Sequence, residues 1–170
     1  ISEITELRLS DSSINLFESC SRKWEFRKIY NYGGRQESVA AGAGKALHAG
    51  FQEFLISGDR ERAQFEMMCN YPADIFPRSN EPKTLEACYN TLNYIMDSDK
   101  LMEYDLAEIT TKDGEIKKAI EVPFKMNIKD FELIEGRNIP ISFVGFTDCI
   151  LYNLIKEEHA VVDMKNHNSW

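Results

Sequence analysis

The chain has 170 residues, of which 43% are hydrophobic and 28% are charged, and its formal net charge is −8. This composition excludes a disordered chain, and with this length it predicts one globular domain over residues 1–170. No apolar run reaches the roughly 18 residues that cross a bilayer, so we expect a cytoplasmic protein without a membrane partner. The four cysteines form no C-x-x-C pair, which argues against a zinc knuckle or a disulfide framework, and the acidic balance argues against nonspecific coating of nucleic acid.

The positive charge of the chain is concentrated in residues 20–48, where six basic side chains stand against two acidic ones. The basic residues are Arg22, Lys23, Arg27, Lys28, Arg35 and Lys45, and the acidic ones are Glu25 and Glu37. One basic, aromatic-rich segment in an otherwise acidic protein is typical of an enzyme that binds a polyanion at one place on its surface. On charge alone, a solvated helix face is an equally good interpretation.

The first half of the chain shows helical periodicity. Ser10 offers an N-cap side chain before a helix predicted over about residues 11–30, in which Phe17, Cys20 and Trp24 share a buried face. After a flexible stretch at residues 40–44, a second helix is predicted to end near residue 57, with Gly58 as its stop.

His48 lies beside the apolar stripe of that second helix. Two further helices are predicted over about residues 59–69 and from Pro82 onward, with a loop over residues 71–82 between them. The buried face of the last helix is marked by Leu85, Cys88, Tyr89, Leu92, Ile95 and Met96.

From about residue 105 the hydrophobic period changes to two, which is typical of strands. Residues 106–111, a turn at 112–115 and residues 117–127 predict a hairpin. Glu121 lies on the polar face of its strand, and Pro123 predicts an edge position or a bulge because it donates no ladder hydrogen bond. Residues 139–152, interrupted by Gly145, predict the longest strand, and residues 159–166 predict the last one.

Asp148, Asp163 and Lys165 form the candidate site that the strand pattern predicts. Asp163 and Lys165 project from the same face of their strand, while Val162 and Met164 point to the opposite layer. If the two strands are antiparallel neighbours, Asp148 reaches the same spot, where two carboxylates and an ammonium suit a divalent cation and a phosphate. The pattern predicts metal-dependent phosphodiester chemistry; the alternative is a surface ion pair of Asp163 and Lys165, with Asp148 at a sheet margin.

Four sequence blocks resemble those of the RecB-like branch of the PD-(D/E)XK nuclease superfamily, which includes AddB-type, CRISPR-adaptation and phage exonuclease relatives. The first block runs from Leu9 to Phe26 and is similar to the family's opening helix, with its S-x-S start and its F-x-x-C pattern. The other blocks are Gly44-x-x-Leu47-His48, Ile120-Glu121-Val122 followed by Gly145-x-x-Asp148, and Val161-Val162-Asp163-x-Lys165. Their order and spacing agree with the family.

This resemblance implies an α+β fold of the restriction-endonuclease type, in which N-terminal helices pack on a mixed β-sheet that carries the metal site. It also implies Mg²⁺ or Mn²⁺ as the cofactor, held by Asp148, Asp163, His48 and the backbone carbonyl of Met164. Lys165 would lie beside the attacking water and the scissile phosphate. Glu121 would be a further carboxylate of the catalytic set or its outer shell.

The resemblance makes DNA the expected partner, with Arg22, Lys23, Arg27 and Lys28 as candidates for contacting its phosphates. A homo-oligomer or a larger recombination complex stays open. Many relatives carry a Gln-x-x-x-Tyr helix after the Asp-x-Lys strand, and its absence here leads us to expect a truncated C-terminal end. The cysteines lie at the wrong places for the iron–sulfur cluster of some relatives, so we expect none in these 170 residues.

Together these features predict a metal-dependent deoxyribonuclease, and more narrowly an exonuclease acting in recombination, repair or phage DNA metabolism. The main alternative is a catalytically inactive DNA-binding or scaffolding module that retains the nuclease fold. A third interpretation is an acidic protein-interaction domain without a nucleic-acid role.

Overall fold

The computed structural model describes residues 6–33, 39–72, 83–133 and 137–164. In chain order the elements are β1 (Leu7–Leu9), α1 (Asp11–Ser19), α2 (Ser21–Lys28), α3 (Val39–Ser57), α4 (Arg60–Asn70), α5 (Leu85–Met96), a 3-10 helix (Asp99–Glu103), β2 (Tyr104–Leu106), β3 (Glu108–Thr110), β4 (Ile116–Lys118), β5 (Ile120–Leu133), β6 (Arg137–Asn153) and β7 (Glu158–Val162). No helix in these ranges is long and apolar enough to cross a membrane.

The chain divides into two compact units, one of residues 1–35 with 123–146 and the other of residues 36–122 with 147–170. The long strands β5 and β6 each contribute to both units. The single domain predicted over residues 1–170 stays a prediction.

In the first unit the predicted single helix over residues 11–30 is wrong, because the chain turns at Cys20 and forms α1 and α2. Cys20 has extended backbone angles, with φ −167° and ψ 102°. The two helices then meet side by side, so that the indole N–H of Trp24 donates to the Ser13 hydroxyl at 2.7 Å. The expected buried face is also wrong, since Phe17 and Cys20 are exposed. The predicted N-cap is confirmed, because the side chain of Ser10 accepts from the Ser13 backbone N–H.

The strand part of the first unit is built on the N-terminal half of β6. β1 pairs with it in parallel, with Leu7 opposite Ile141, and β5 pairs with it as well. A Cβ on Gly145 of β6 would lie 2.7 Å from the Phe124 ring of β5. Gly145 is therefore a residue whose missing side chain makes room for a neighbouring aromatic ring.

The helices of the second unit follow the predicted spacing, with one difference at the start of α3. The stretch at residues 40–44 is helical rather than flexible, because Gly42 and Ala43 are buried and help to anchor the first turns. α3 ends at Gly58, which has φ +67° and is the expected glycine stop. The N-caps Asp59 and Thr84 then start α4 and α5 through side-chain oxygens that accept backbone N–H groups.

The core of the second unit lies between α3, α4 and α5 and one face of the sheet. Its buried residues are Ala43, Ala46, Leu47, Phe51, Ala63, Met67, Cys88, Leu92, Met96, Leu106, Cys149 and Leu151. The prediction for α5 is confirmed for its buried Cys88, Leu92 and Met96, and wrong for Leu85 and Tyr89, which are exposed.

In the second unit β2 and β7 pair with the C-terminal half of β6, both antiparallel. The predicted hairpin around residues 112–115 is confirmed as β3 and β4. Its second strand, predicted over residues 117–127, is wrong in extent, because the chain is divided at Ala119 into β4 and β5. β7 ends at Val162, so the strand predicted to reach residue 166 is shorter, and Asp163 and Met164 follow its end. The antiparallel pairing of the two site-bearing strands, on which the candidate site depends, is confirmed.

Candidate metal centre

Asp148 joins two segments that carry the predicted site, all within the second unit. Its Oδ2 accepts the backbone N–H of Met164 at 2.5 Å, and its Oδ1 lies 3.4 Å from Nδ1 of His48. The β6–β7 register ends at the pair Cys149 and Val162. Continued by one residue, that register sets Asp163 opposite Asp148, which explains why the chain after β7 passes within reach of this carboxylate.

His48 approaches the same point from α3. Its neighbour Leu47 faces the core, while the His48 side chain stays about one-third exposed. Nε2 of His48 lies 3.0 Å from the carbonyl oxygen of Met164. The helix, the end of β7 and the middle of β6 thus bring together three of the four predicted metal ligands: His48, Asp148 and the Met164 carbonyl.

The surroundings of the His48 ring fit a divalent cation. Nε2 faces the Met164 carbonyl oxygen and Nδ1 faces Asp148 Oδ1, and both oxygens are hydrogen-bond acceptors. A neutral imidazole has a proton on only one nitrogen, so the lone pair of the other nitrogen faces the lone pair of an oxygen. A second proton or a cation beside Nε2 removes this conflict. With a cation, Nδ1–H donates to Asp148, which is the carboxylate–histidine–metal arrangement common in metal sites.

The distance between His48 Nε2 and the Met164 carbonyl oxygen fits both a hydrogen bond and two neighbouring ligands of one cation. Two ligands at right angles, each about 2.1 Å from Mg²⁺, are about 3.0 Å apart. This is the distance between His48 Nε2 and the Met164 carbonyl oxygen. An imidazole nitrogen, a carbonyl oxygen and nearby carboxylates are also ligand types that Mg²⁺ and Mn²⁺ accept.

The side chains alone do not form a complete metal cluster. Within the described ranges, no group of three or more His, Cys, Asp or Glu side chains could hold a metal ion. The carbonyl of Met164 belongs to the backbone, and the exposed Asp163 directly precedes it in the chain. Lys165 lies outside the described residues, so its predicted place beside the scissile phosphate stays a prediction.

Glu121 lies beside the next turn of α3, where sequence reasoning missed a partner. The side-chain amide of Gln52 reaches a carboxylate oxygen of Glu121 at 3.5 Å. Gln52 follows His48 by four residues, and this spacing puts both side chains on one face of the helix. The spacing was therefore the sequence signal that could have placed Gln52 near the predicted site. Glu121 also has φ +47°, a left-handed backbone angle that disfavours glutamate and marks a local irregularity two residues before Pro123.

Cys149 follows Asp148 on β6 but has the wrong chemistry for a metal ligand. Burial raises the pKa of its thiol to about 11, and the neighbouring Asp148 charge acts in the same direction. Burial likewise raises the pKa of the Cys88 thiol. Both cysteines are therefore protonated core residues near neutral pH, since a cysteine binds metal as its thiolate.

The four predicted DNA-contacting residues lie in the first unit, on α2. Arg22, Lys23, Arg27 and Lys28 are all exposed. α2 buries none of its residues, so these charges are accessible to an anion. Their contact with DNA stays a prediction.

A family comparison identifies the chain. The family model of the PD-(D/E)XK nuclease superfamily matches residues 8–169. The chain belongs to this superfamily. No curated protein and no solved structure matches it.

Membership of the PD-(D/E)XK nuclease superfamily confirms the predicted family and, with the helices and mixed sheet described above, the predicted α+β class of restriction-endonuclease type. It implies a nuclease, which hydrolyses phosphodiester bonds, and DNA as the substrate. Nucleases of this superfamily generally use divalent metal ions such as Mg²⁺. The assignment to the RecB-like branch stays a prediction.

Proposed function

We propose that this PD-(D/E)XK protein is a Mg²⁺- or Mn²⁺-dependent deoxyribonuclease, and that it is an exonuclease acting in recombination, repair or phage DNA metabolism. The observation that carries this proposal is the convergence of His48, Asp148 and the Met164 carbonyl on one point beside Asp163. These are hard oxygen donors and an imidazole, which suit a divalent cation.

In the proposed mechanism each residue has a role that follows from its chemistry. A divalent ion held at this site would supply Lewis-acid chemistry, which polarises phosphate oxygens and makes water easier to deprotonate. His48, Asp163 and the Met164 carbonyl would hold it. Asp148, predicted as a further ligand, has one carboxylate oxygen on the Met164 N–H and the other facing His48, so in this proposal it orients the ring and the backbone and supplies further negative charge. Lys165 stabilises the charge that develops on the phosphate in the transition state.

Glu121 has a supporting role in this proposal. Its carboxylate, held near α3 by Gln52, adds negative charge on the side of the helix that carries His48. It could accept a proton or orient a water beside the ion.

The second candidate function is DNA binding without turnover. It is favoured by the lack, among the described residues, of a cluster of three metal-binding side chains. The exposed basic residues of α2 would then supply the contacts to phosphate. Such a module binds DNA, and added metal produces no nucleotide products.

A cleavage assay tests the proposed nuclease. Wild-type protein should degrade end-labelled linear DNA with Mg²⁺ or Mn²⁺ and leave it intact with a chelator. Asp163→Asn and Lys165→Ala should each lower the rate at least about a hundredfold, because each removes charge from the reacting centre. The control is Asp113→Asn, which makes the same change in the exposed turn between β3 and β4.

Undiminished cleavage by both site variants would overturn the nuclease assignment. Covalently closed circular DNA tests the narrower claim. An exonuclease leaves it intact, so metal-dependent cutting of the circle would contradict exonuclease action and leave the broader assignment in place.

A further inference from the structure

α2 and the turn after it expose three aromatic side chains that lie side by side. The exposed fractions of Phe26, Tyr30 and Tyr32 are 40%, 54% and 70%. Exposing three large rings side by side is costly, because apolar surface is normally removed from water. The arrangement therefore calls for an explanation other than packing within the fold.

The three rings form one cluster, called here the aromatic platform. Ring centroids lie 6.0 Å apart for Phe26 and Tyr30, 6.2 Å for Phe26 and Tyr32, and 6.3 Å for Tyr30 and Tyr32. The planes of the two tyrosines differ by 24°. Planar surfaces of this kind, partly open to solvent, can accept a further flat ring.

The backbone after α2 holds the platform in place. Asn31 has φ +55°, which reverses the chain direction, and the Tyr32 backbone N–H donates to the Phe26 carbonyl at 2.8 Å. This turn brings Tyr32 back beside the helix that carries Phe26. The platform is thus formed before any ligand arrives, which lowers the entropic cost of binding.

Trp24 is not part of the platform, although it lies on the same helix. Its indole N–H is bound to Ser13 at 2.7 Å, and Phe17 meets its ring edge-on at 5.5 Å. Both contacts tie Trp24 to α1. Its role is to join the two helices, so Phe26, Tyr30 and Tyr32 are the accessible rings of α2 and the turn after it.

Three basic side chains of α2, Arg22, Lys23 and Arg27, lie beside the platform and are called here the basic row. Arg22 lies over the Phe26 ring, 5.8 Å from its centroid. Lys23 and Arg27 follow each other by one helical turn on the adjacent face, and both are exposed. In a protein of net charge −8, a basic row beside exposed rings is complementary to a ligand that is both anionic and aromatic.

We propose that the aromatic platform binds single-stranded DNA by stacking its bases, while the basic row contacts its phosphates. In duplex DNA the base faces are covered by neighbouring bases, whereas a single strand exposes them, and aromatic rings beside a basic row are the recurrent means of binding single strands. The choice of DNA over RNA rests on the proposed function.

A binding experiment with the full chain tests the platform. Fluorescence anisotropy measures the affinity for a labelled oligo(dT) of about 20 nucleotides, in a chelator so that no cleavage occurs. Tyr30→Ala and Tyr32→Ala should each weaken binding about tenfold, the scale of one lost base–aromatic stack. Tyr32→Phe should retain the affinity, because stacking needs the ring and not the hydroxyl. The matched control Tyr94→Ala removes a tyrosine that is 78% exposed on α5 and should change nothing.

The outcomes separate this inference from the proposed nuclease. Unchanged binding by both alanine variants, or an equal loss with Tyr94→Ala, would overturn the platform. Tighter binding of oligo(U) RNA than of oligo(dT), or of duplex than of single strand, would overturn the assignment to single-stranded DNA. If the alanine variants lose binding but the wild type never cleaves DNA, the platform stands and the nuclease proposal fails.

Discussion

At the level of single residues, Asp148 shows how one carboxylate can organise a site. One oxygen accepts the Met164 N–H and the other faces His48, so it couples the end of β7 to α3. The Met164 carbonyl and His48 Nε2 then lie at the spacing of two adjacent metal ligands. In the proposed metal site His48 therefore has the central role.

His48→Ala should therefore lower the affinity for Mn²⁺ at least about tenfold, since loss of even a residue that only hydrogen-bonds to a ligand costs about 10–100-fold in affinity. Isothermal titration calorimetry measures this affinity directly. The matched control is His159→Ala, which removes an exposed histidine on β7 that contacts Tyr152. Equal Mn²⁺ affinity for the wild type and His48→Ala would contradict the placement of the ion at His48.

Much of this site could be predicted at the residue scale, because strand alternation and antiparallel pairing bring Asp148 next to the chain around Asp163. The resemblance to a nuclease family added His48 and the Met164 carbonyl. The contact between Gln52 and Glu121 had only an indirect signal, the four-residue spacing of His48 and Gln52, because it joins residues 69 positions apart through side chains whose directions depend on packing. Pro123 predicted an edge position or a bulge, but it did not locate the left-handed backbone at Glu121.

At the level of elements, α3 is the helix that positions His48, and its packing depends on a glycine. A Cβ on Gly50 would lie 2.8 Å from Met67 Cβ and from Leu92 Cδ2, and 2.9 Å from the Ala63 carbonyl. α4 and α5 therefore approach α3 closely at this point. Gly44, in the same helix, has open space where its Cβ would be.

Gly50→Ala should lower the free energy of unfolding by about 1–3 kcal/mol, because an added methyl group overpacks this helix contact. Gly44→Ala is the matched control and should be neutral or stabilising by up to about 1 kcal/mol, since alanine favours helix over glycine. Urea denaturation measures both. Equal effects of the two substitutions would contradict the close packing of α3 against α4 and α5.

The helices and strands themselves could be predicted from hydrophobic spacing, N-caps and glycine stops. The break between α1 and α2 could not, because the spacing of Phe17, Cys20 and Trp24 continues through it. The two helices on either side of the break are joined by a hydrogen bond between Trp24 and Ser13, which the spacing does not reveal. Periodicity reports which residues share a face and gives no information on whether that face becomes buried.

At the level of the whole molecule, the first unit is held by a polar cluster around Glu6. Its carboxylate accepts from the Ser142 hydroxyl at 2.7 Å and from Arg8 at 2.9 Å, and it forms an ion pair with Lys125. These contacts connect the chain just before β1 to β5 and β6. The Lys125, Ser142 and Arg8 hydrogen bonds lower the pKa of Glu6 from 4.5 to about 2.

This lowered pKa predicts a pH dependence of stability. The ionised Glu6 stabilises the fold, so its contribution is complete above pH 4.5 and is lost as the pH falls from 4.5 toward 2. Urea denaturation of the wild type and Glu6→Gln over this range should show the difference in unfolding free energy shrinking with falling pH. Glu108→Gln controls for the change in charge. A difference that is independent of pH would contradict the role of the ionised carboxylate.

The division into two units could not be predicted from the sequence. Strand periodicity identified the regions of β5 and β6, but each of these strands belongs to both units. Which part of a strand packs with which helices is decided by contacts between residues far apart in the chain. The restriction-endonuclease fold class could be predicted, because four short sequence blocks in the right order resemble those of the family.

We propose that a divalent ion binds between His48, the Met164 carbonyl and the neighbouring aspartates. The most direct test is a crystal soaked in Mn²⁺, with anomalous scattering used to locate the metal. We expect a single strong anomalous peak within about 2.5 Å of both His48 Nε2 and the Met164 carbonyl oxygen. A well-ordered site without such a peak, or with manganese bound only elsewhere, would contradict it.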